Sequence, residues 1–205
     1  AEKVTVIPIG IDPKAYETVD SERLDFWRSR LSKPFFLFIG AMRYYKGLHI
    51  ALEAIAGTEI QIVMAGINGI EKDLKAQAAA LQLKNVDFLG FVNDEDKIAL
   101  LHLCHSFIFP SHLRSEAFGI SLLEAAMVGK PMISCEIGTG TSFVNSANKT
   151  GFVINPGSPK ELREAMQFLL DNPEVAAKMG KKAKKRALKL FTADQQAKSY
   201  YDLYR

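Results

Sequence analysis

The segment Ser106–Glu136, SFIFPSHLRSEAFGISLLEAAMVGKPMISCE, holds two strand-like runs separated by one helical stretch. SFIFPS and PMISCE are short apolar runs of the kind that form buried strands, and SEAFGISLLEAAMVGKP between them is long enough for a covering helix. This order is typical of two parallel strands that are joined across one face of a sheet. The segment therefore predicts a parallel sheet.

The same alternation extends through most of the chain. From Phe35 onward, apolar runs rich in β-branched and aromatic residues alternate with helical patterns. The other predicted strands are FFLFIG, IQIVMAG, VDFLG and a weaker GFVINP, and the other predicted helices cover about 46–56, 71–81 and 94–103 or begin near Ser158, Pro173 and Thr192. Asp94 and Ser158 are predicted to cap their helices. The prediction is an α/β fold with a doubly wound, Rossmann-like parallel sheet.

Size and composition favour one globular domain. The chain has 205 residues, of which 48% are hydrophobic, and this suffices for a single core. A net charge of +3 is too small to indicate a nucleic-acid partner, although a local basic patch could meet an anion. Cys104 and Cys135 lie in apolar runs, which favours a reducing, cytoplasmic compartment. No apolar run approaches the roughly 20 residues that span a bilayer.

Residues 1–30 differ from the rest. VIPIGIDPKAY is predicted to be a strand followed by a turn, after which the sequence is polar through Arg30. Because the chain begins without an initiator Met, we expect this part to be a first strand and a linker that arrives from a preceding lobe. Residues 31–205 are then the domain proper.

In an open α/β sheet, ligands bind outside the carboxyl ends of the strands, where helix N-termini offer free N–H groups. The first such loop, GAMRYYKGL, begins with Gly40 but lacks the glycine pattern of a dinucleotide site. It carries Arg43 and Lys46 instead. Two cations at a helix N-terminus suit a diphosphate, and the alternative is that both are solvated surface residues.

The loop after SFIFPS is the second candidate. Gly119 permits close backbone approach, and the amides of Phe118, Gly119 and Ile120 begin a helix and form an anion site. Glu124 lies in the apolar part of this helix and needs donors, which could be the hydroxyls of a ribose or a Lys or Arg inside the protein. Glu116 could bind a polyhydroxylated substrate or could be an acid favoured by the helix dipole.

The third loop, EIGTGTSFVN, is less specific. Gly138 and Gly140 predict a tight turn with hydroxyl donors around it. Such a turn suits a sugar or a phosphate and equally suits an ordinary connection.

Together these motifs resemble the nucleotide-sugar-binding C-terminal lobe of retaining GT-B glycosyltransferases, specifically glycosyltransferase family 4 (group 1). The resemblance rests on IPIGID, GAMRYYKG, GFVNDED and above all PSHLRSEAFGISLLEAAMVGKP, which matches the family's E-x7-E pattern with Glu116 and Glu124. The resemblance covers nearly the whole of this chain, but this chain corresponds to only half of such an enzyme. It implies that 1–30 is the interlobe linker with its first strand, 31–205 is the donor-binding domain, and the acceptor lobe precedes Ala1.

The resemblance also implies residue roles. The catalytic residues would be Glu116, which binds sugar hydroxyls, Lys46, which holds the donor diphosphate, and Arg43. The donor-binding positions would be Gly40, the backbone groups near Phe91 and Val92 at the base, the amides of Phe118, Gly119 and Ile120 at phosphate or sugar, and Glu124 at the ribose. The implied mechanism is front-face transfer with retention, in which cations and helix N-termini stabilise the leaving group without a metal.

Three positions depart from the family pattern. Ala41 stands where the family usually has an arginine, Ile9 where it has an asparagine, and Ser142 where it has a glutamate. Arg43 must therefore reach the phosphates by another path or not at all. The change at Ser142 could alter which sugar is held.

The expected function is the donor-binding half of an enzyme that transfers a hexose, such as mannose, from a GDP- or UDP-linked sugar to a polysaccharide or lipid-linked glycan, as in lipopolysaccharide synthesis. The isolated half is expected to be inactive. One alternative is a non-catalytic nucleotide-binding module. Another is a glycoside hydrolase that uses Glu116 and Glu124 as its two carboxyl groups.

One further motif, KMGKKAKKRALKLF, places small and apolar residues at helical spacing and leaves Lys178–Arg186 mostly outward. This pattern predicts a solvated helix face or, as the alternative, a weak contact with anionic lipid headgroups at the inner face of the cell membrane.

Overall fold

The computed structural model describes residues 4–205 and contains a six-stranded parallel sheet with the order β3-β2-β1-β4-β5-β6. The strands are β1 (Phe35–Ile39), β2 (Gln61–Ala65), β3 (Val86–Gly90), β4 (Ser106–Phe109), β5 (Met132–Cys135) and β6 (Gly151–Ile154). β1 pairs with β2 on one side and with β4 on the other, so the strand order reverses between β1 and β4. The predicted strands after Phe35 are confirmed, and the reversal produces a crevice at their carboxyl ends.

Helices cover both faces of this sheet. They are α1 (Ser21–Arg30), α2 (Leu48–Ile55), α3 (Glu71–Ala80), α4 (Asp94–Leu103), α5 (Ile120–Met127), α6 (Thr141–Val144), α7 (Pro159–Asp171), α8 (Pro173–Leu190) and α9 (Ala193–Leu203). Ser158 caps α7 as predicted. The prediction for Asp94 was wrong by one residue, because Asn93 accepts the capping bond from the Asp96 amide at 2.8 Å. None of the helices within residues 4–205 is both long and apolar enough to cross a membrane.

Each strand sends alternate side chains into two core layers. Phe36 and Phe38 of β1 pack with α2, α3 and α7, whereas Phe35 and Leu37 pack in the layer that contains α4, α5 and much of α8. Because both faces are buried, the strands read as nearly continuous apolar runs. The doubly wound architecture predicted from those runs is confirmed.

The N-terminal segment differs from its prediction. Residues 4–10 form no strand, and Ile11 makes a single parallel bridge with Thr192. Val4 and Val6 are exposed, since no neighbouring strand pairs with this part of the chain. Residues 1–3 of the predicted segment lie outside the described residues.

The polar stretch before Arg30 was predicted to be a linker, but it contains α1, which packs against α4. Trp27 is buried, and its indole N–H donates to Asp96 Oδ1 at 2.7 Å. Arg23 Nε donates to the same oxygen at 2.6 Å. The polar composition was misleading because Trp27, Leu24 and Phe26 pack this helix against the core and Asp96 pairs with two of its side chains. Whether the segment also connects two lobes stays a prediction.

Asp96→Ala is expected to lower the free energy of unfolding by about 2–3 kcal/mol, because the Trp27 indole and the Arg23 guanidinium lose their common acceptor. Urea denaturation followed by circular dichroism measures this change. Glu95→Ala removes an exposed carboxylate from the same turn, and its effect should stay within about 0.5 kcal/mol. Equal effects of the two substitutions would contradict the assignment.

Candidate functional site

The candidate site lies where β1 and β4 end. A one-turn 3-10 helix, Tyr44–Lys46, is followed by Gly47 with a φ of +70°. A Cβ at Gly47 would lie 2.1 Å from the carbonyl oxygen of Pro110, so glycine is required for this close approach. The His112 amide donates to the Tyr45 carbonyl at 2.9 Å and closes the same contact. The loop after β1 is thereby held against the loop after β4.

Lys46 and Glu116 meet across this contact. The Lys46 ammonium forms an ion pair with Glu116 Oε2, and the Ser111 hydroxyl donates to that oxygen at 3.4 Å. The exposed fractions of the two side chains are 13% for Lys46 and 10% for Glu116. The ammonium also lies 4.7 Å from the centroid of the Phe109 ring, within cation–π range. The structure therefore brings together two of the three residues predicted to be catalytic.

Arg43 does not join this pair. Its side chain is exposed, and its Cδ atom lies near Gly69 in the loop after β2. Arg43 and Lys46 were predicted to lie at the N-terminus of a helix that begins at about Lys46. α2 begins at Leu48 with Gly47 as its N-cap, so Lys46 directly precedes the cap, whereas Arg43 lies at the start of the preceding 3-10 turn. Whether Arg43 contacts the diphosphate stays a prediction.

The N-terminus of α5 lies at the end of the β4 loop, as predicted. Gly119 has a φ of +90°, and a Cβ there would lie 3.0 Å from the Phe109 ring. α5 begins at the next residue, Ile120. In the described part of the chain, no acceptor pairs with the amides of Phe118, Gly119 and Ile120. These amides and the helix dipole present partial positive charge beside the Lys46–Glu116 pair.

Glu124 lies in the second turn of α5 and is buried. Its Oε1 atom accepts a bond from the Tyr16 hydroxyl at 2.9 Å and lies 3.0 Å from the Lys97 ammonium. The sequence left open whether Glu124 pairs with a ribose or with a cation inside the protein, and the structure shows a cation, Lys97. Both contacts use Oε1, and no donor among residues 4–205 bonds to Oε2.

The pKa values of both partners reflect this contact. Burial alone would lower the pKa of Lys97, but its interactions with Asp94 and Glu124 outweigh burial and raise it. Burial and then the Glu124 charge raise the pKa of the Tyr16 hydroxyl. Lys97 therefore stays charged and Tyr16 stays a donor.

Sequence reasoning missed both of these partners. Tyr16 lies 108 residues from Glu124 along the chain. Lys97 follows three acidic residues in a first helical turn, which is the pattern of a solvated helix.

Gly40, Phe91 and Val92 lie further along the same edge of the sheet. The Gly40 amide donates to Ala65 at 3.0 Å, and the Gly66 amide donates to the Gly90 carbonyl at 2.7 Å, so the ends of β1, β2 and β3 converge. Val92 packs partly against the core, whereas Phe91 is 73% exposed. An exposed phenyl ring at this edge can stack on a flat aromatic group.

The third loop contains α6, where the sequence predicted only a turn. Glu136 Oε1 accepts bonds from the Gly138 amide at 2.9 Å and from the Ser142 hydroxyl at 3.2 Å. A Cβ at Gly140 would lie 2.4 Å from the Phe118 ring, so this loop packs directly against the start of α5. The third loop therefore borders the site, and Ser142 is already engaged within it.

The assembled site has a defined chemistry. A cation from the β1 loop and free amides from the β4 loop can hold an anion, and two buried carboxylates can accept bonds from hydroxyl groups. Across residues 4–205, no group of three or more His, Cys, Asp or Glu side chains is arranged to hold a metal ion.

Known proteins resemble this chain over most of its length. Residues 21–186 match the family model described as glycosyl transferases group 1. The D-rhamnosyltransferase WbpZ of Pseudomonas aeruginosa is 55% identical over 94% of this chain and 50% of its own length. The O-antigen chain mannosyltransferase C of Escherichia coli is 45% identical over 99% of this chain and 54% of its own. The chain thus spans about half the length of these curated relatives.

Solved structures share the fold at low identity. Anabaena Alr3699/HepE in complex with UDP and glucose has a TM-score of 0.88 and 23% identity, over 99% of this chain and 57% of that one. The C-terminal domain of LpcC from Francisella tularensis, a glycosyl transferase group 1 family protein, has a TM-score of 0.75 and 18% identity. That domain is matched over its full length and covers 90% of this chain.

Tyr16→Phe is expected to lower the free energy of unfolding by about 1–2 kcal/mol at neutral pH, because the bond to Glu124 is lost. The stability difference between Tyr16→Phe and the wild type should shrink above pH 10. Because the pKa of Tyr16 is raised in the folded state, the unfolded chain loses the phenol proton at a lower pH than the folded protein does. The wild type therefore loses stability as the pH rises, whereas Tyr16→Phe does not. Urea titrations at several pH values measure both effects. Tyr201→Phe, at an exposed position, is the control, and a difference that is constant with pH would contradict the assignment.

Proposed function

The chain belongs to the glycosyl transferases group 1 family, and on this basis we propose that it is the donor-binding half of a retaining hexosyltransferase. The proposed donor is a GDP- or UDP-linked hexose, and the proposed acceptor is a polysaccharide or a lipid-linked glycan. The relatives named as a D-rhamnosyltransferase and an O-antigen chain mannosyltransferase support mannose or a rhamnose as the sugar. The neighbour in complex with UDP and glucose supports a nucleotide sugar as the donor.

The observation that carries this proposal is the position of Lys46 beside the free amides of α5. They come from two adjacent strand ends at the point where the strand order reverses. A diphosphate has two phosphoryl groups, and a cation together with a helix N-terminus can meet both. Glu116 keeps the ammonium in place between the two loops.

Glu116 is proposed to bind hydroxyls of the transferred sugar. Its Oε2 is occupied by Lys46 and Ser111, whereas no bond from the described residues uses Oε1. An oriented carboxylate oxygen beside a diphosphate site is suited to the hydroxyls of a sugar attached to that diphosphate. A non-catalytic nucleotide-binding module would be favoured instead by two results together. These are equal thermal protection by a nucleoside diphosphate and by its sugar conjugate, and no change in that protection in Glu116→Gln.

Glu124 is proposed to bind the ribose. Tyr16 and Lys97 hold Oε1, so the carboxylate plane is fixed while Oε2 can accept from a ribose hydroxyl. Lys97 therefore contacts Oε1 of Glu124, and the ribose is proposed to contact Oε2 of the same carboxylate. Phe91, exposed at the end of β3, is the proposed platform for the base.

In the proposed reaction, the bond between the anomeric carbon and the diphosphate oxygen breaks, and the acceptor oxygen bonds to that carbon on the same face. The proton of the acceptor hydroxyl passes to the departing diphosphate. Negative charge develops on the departing diphosphate, where Lys46 and the α5 amides are positioned to stabilise it. As the family resemblance implies, we assign this role to these groups rather than to a metal ion.

The acceptor site is proposed to lie in a part of a longer protein, on the cytoplasmic side of the membrane. Val4 and Val6 near one end of the chain, and Tyr201, Leu203 and Tyr204 near the other, are exposed. The bridge between Ile11 and Thr192 joins the two segments at their inner ends. Exposed apolar side chains are typical of a surface that a partner covers. We therefore expect this chain alone to bind the donor without transferring its sugar.

A glycoside hydrolase fits the geometry less well. Its two carboxyl groups would have to flank one sugar bond, with one of them carrying a proton. Here Glu116 and Glu124 are each paired with a separate lysine.

A thermal-shift experiment with GDP, UDP and ADP is expected to show stabilisation by GDP or UDP, because a ligand that binds the folded state raises its Tm. Lys46→Ala should weaken this binding by about 1–3 kcal/mol, the range for a charged hydrogen bond. The matched control is Lys84→Ala. Lys84 is exposed and directly precedes β3, so it lies at the amino ends of the strands, away from the site. Absence of binding by all three nucleotides, or equal losses in both variants, would overturn the proposal.

Glu124→Gln is expected to weaken binding of the preferred nucleoside diphosphate by about 1 kcal/mol or more, because a neutral amide is a weaker acceptor for ribose hydroxyls. An analogue without ribose hydroxyls should bind both proteins equally. Isothermal titration calorimetry measures the four affinities, with Glu95→Gln as the exposed control. If the analogue lost as much affinity as the nucleotide, Glu124 would act through the fold and not through the ribose.

A further inference from the structure

The positive charge of this protein is concentrated on α8. This helix carries Lys178, Lys181, Lys182, Lys184, Lys185, Arg186 and Lys189 against a single acid, Glu174. Its net charge of +6 exceeds the +3 of the whole chain, so the rest of the molecule is net negative. Such a charge distribution orients the molecule in front of an anionic surface.

Packing turns these cations toward solvent. Ala176, Met179, Ala183 and Ala187 form the buried stripe of α8, and the lysines between them are exposed. Beside the helix, the turn 146–150 adds Lys149 and completes a groove of about 330 Å³. The cationic residues that line it are Lys149, Lys182, Lys185, Arg186 and Lys189, together with the hydroxyl residues Ser146 and Thr150. We call the α8 cations and Lys149 the basic face.

The cations of the basic face are not neutralised by the protein. None of them forms an ion pair with a carboxylate of residues 4–205, although lysines elsewhere on the surface do. Arg186 is fixed in place, since its Nη2 donates to the Phe143 carbonyl at 2.6 Å and its guanidinium lies 5.2 Å from the Phe143 ring centroid. Seven like charges on one helix repel one another, and an external anion relieves this repulsion.

Apolar side chains border the same surface. Leu188 of α8 is 44% exposed, and Phe143 of α6 is 46% exposed. Lysines interleaved with an exposed leucine and an aromatic ring are typical of segments that contact the headgroup region of a bilayer. A polynucleotide would use the cations but not Leu188, and for this reason the pattern favours lipid.

We propose that the basic face docks on a membrane surface that contains anionic phospholipids, with lipid phosphates in the groove beside α8. The contact has a bearing on transfer to a lipid-linked acceptor. Phe191, which directly follows α8, lies 6.1 Å from Phe118 at the start of α5, measured between ring centroids. The C-terminal end of α8 is thus in contact, through Phe191, with the start of α5. This inference is independent of which nucleotide or sugar that site binds.

The test is co-sedimentation of the protein with vesicles of phosphatidylcholine alone or mixed with phosphatidylglycerol. Binding is expected for the mixed vesicles only and should weaken as salt screens the charges. The triple substitution Lys182→Gln, Lys185→Gln and Lys189→Gln should lower the partition coefficient about 100-fold, since each lysine near an anionic surface contributes about fivefold. Leu188→Ser should lower it further.

The matched control replaces the exposed lysines Lys72, Lys84 and Lys160 with glutamine, which changes the net charge equally. Thermal unfolding of both triple variants checks that they are folded. Loss of binding in the α8 variant alone supports the proposal. No binding to mixed vesicles, equal loss in both variants, tighter binding to a single-stranded RNA, or selective release by inorganic phosphate at constant ionic strength would each overturn it.

Discussion

The contact between the turn after β1 and the loop after β4 determines the rest of the site. Gly47 lies so close to Pro110 that no side chain fits between them. This constraint ends the turn before α2 begins and directs Lys46 across the crevice toward Glu116. The position of the cation is therefore set by backbone packing, and the carboxylate and the Phe109 ring keep its charge there at low exposure. A single β-carbon at this position would separate the two loops that carry the chemistry.

A second constraint links the site to the N-terminal segment. Consecutive residues of α4 face different partners: Asp96 accepts bonds from α1, and Lys97 contacts Glu124 on α5. Tyr16, in the turn before α1, reaches the same carboxylate. The segment before Arg30 is thus bound to α4 through Asp96 and to the site through Tyr16. A displacement of that segment would therefore move Tyr16 and alter the position of the Glu124 carboxylate, which is proposed to bind the ribose.

The sheet could be predicted from sequence because both faces of each strand are buried, so apolar runs and helical patterns alternate clearly along the chain. The E-x7-E pattern likewise singled out Glu116 and Glu124, which the structure shows to be buried in the β4 loop and on α5. What sequence could not provide was the partner of each carboxylate, since Tyr16 and Lys97 come near Glu124 only through the fold. The separation of Arg43 from the Lys46–Glu116 pair had the same origin, because nothing local reveals that Gly47 must touch Pro110. The error at residues 6–12 arose because β-branched residues favour a strand only where a neighbouring strand is available to pair.

Trp27 is the only tryptophan in the chain, and it is buried at the junction of α1 and α4. Its intrinsic fluorescence therefore arises from one known environment. The carboxylate that holds the indole belongs to the residue directly before Lys97, so this chromophore lies next to the network around Glu124. A shift of its emission would give a label-free optical signal of rearrangement at that network, without any engineered probe in the crevice itself.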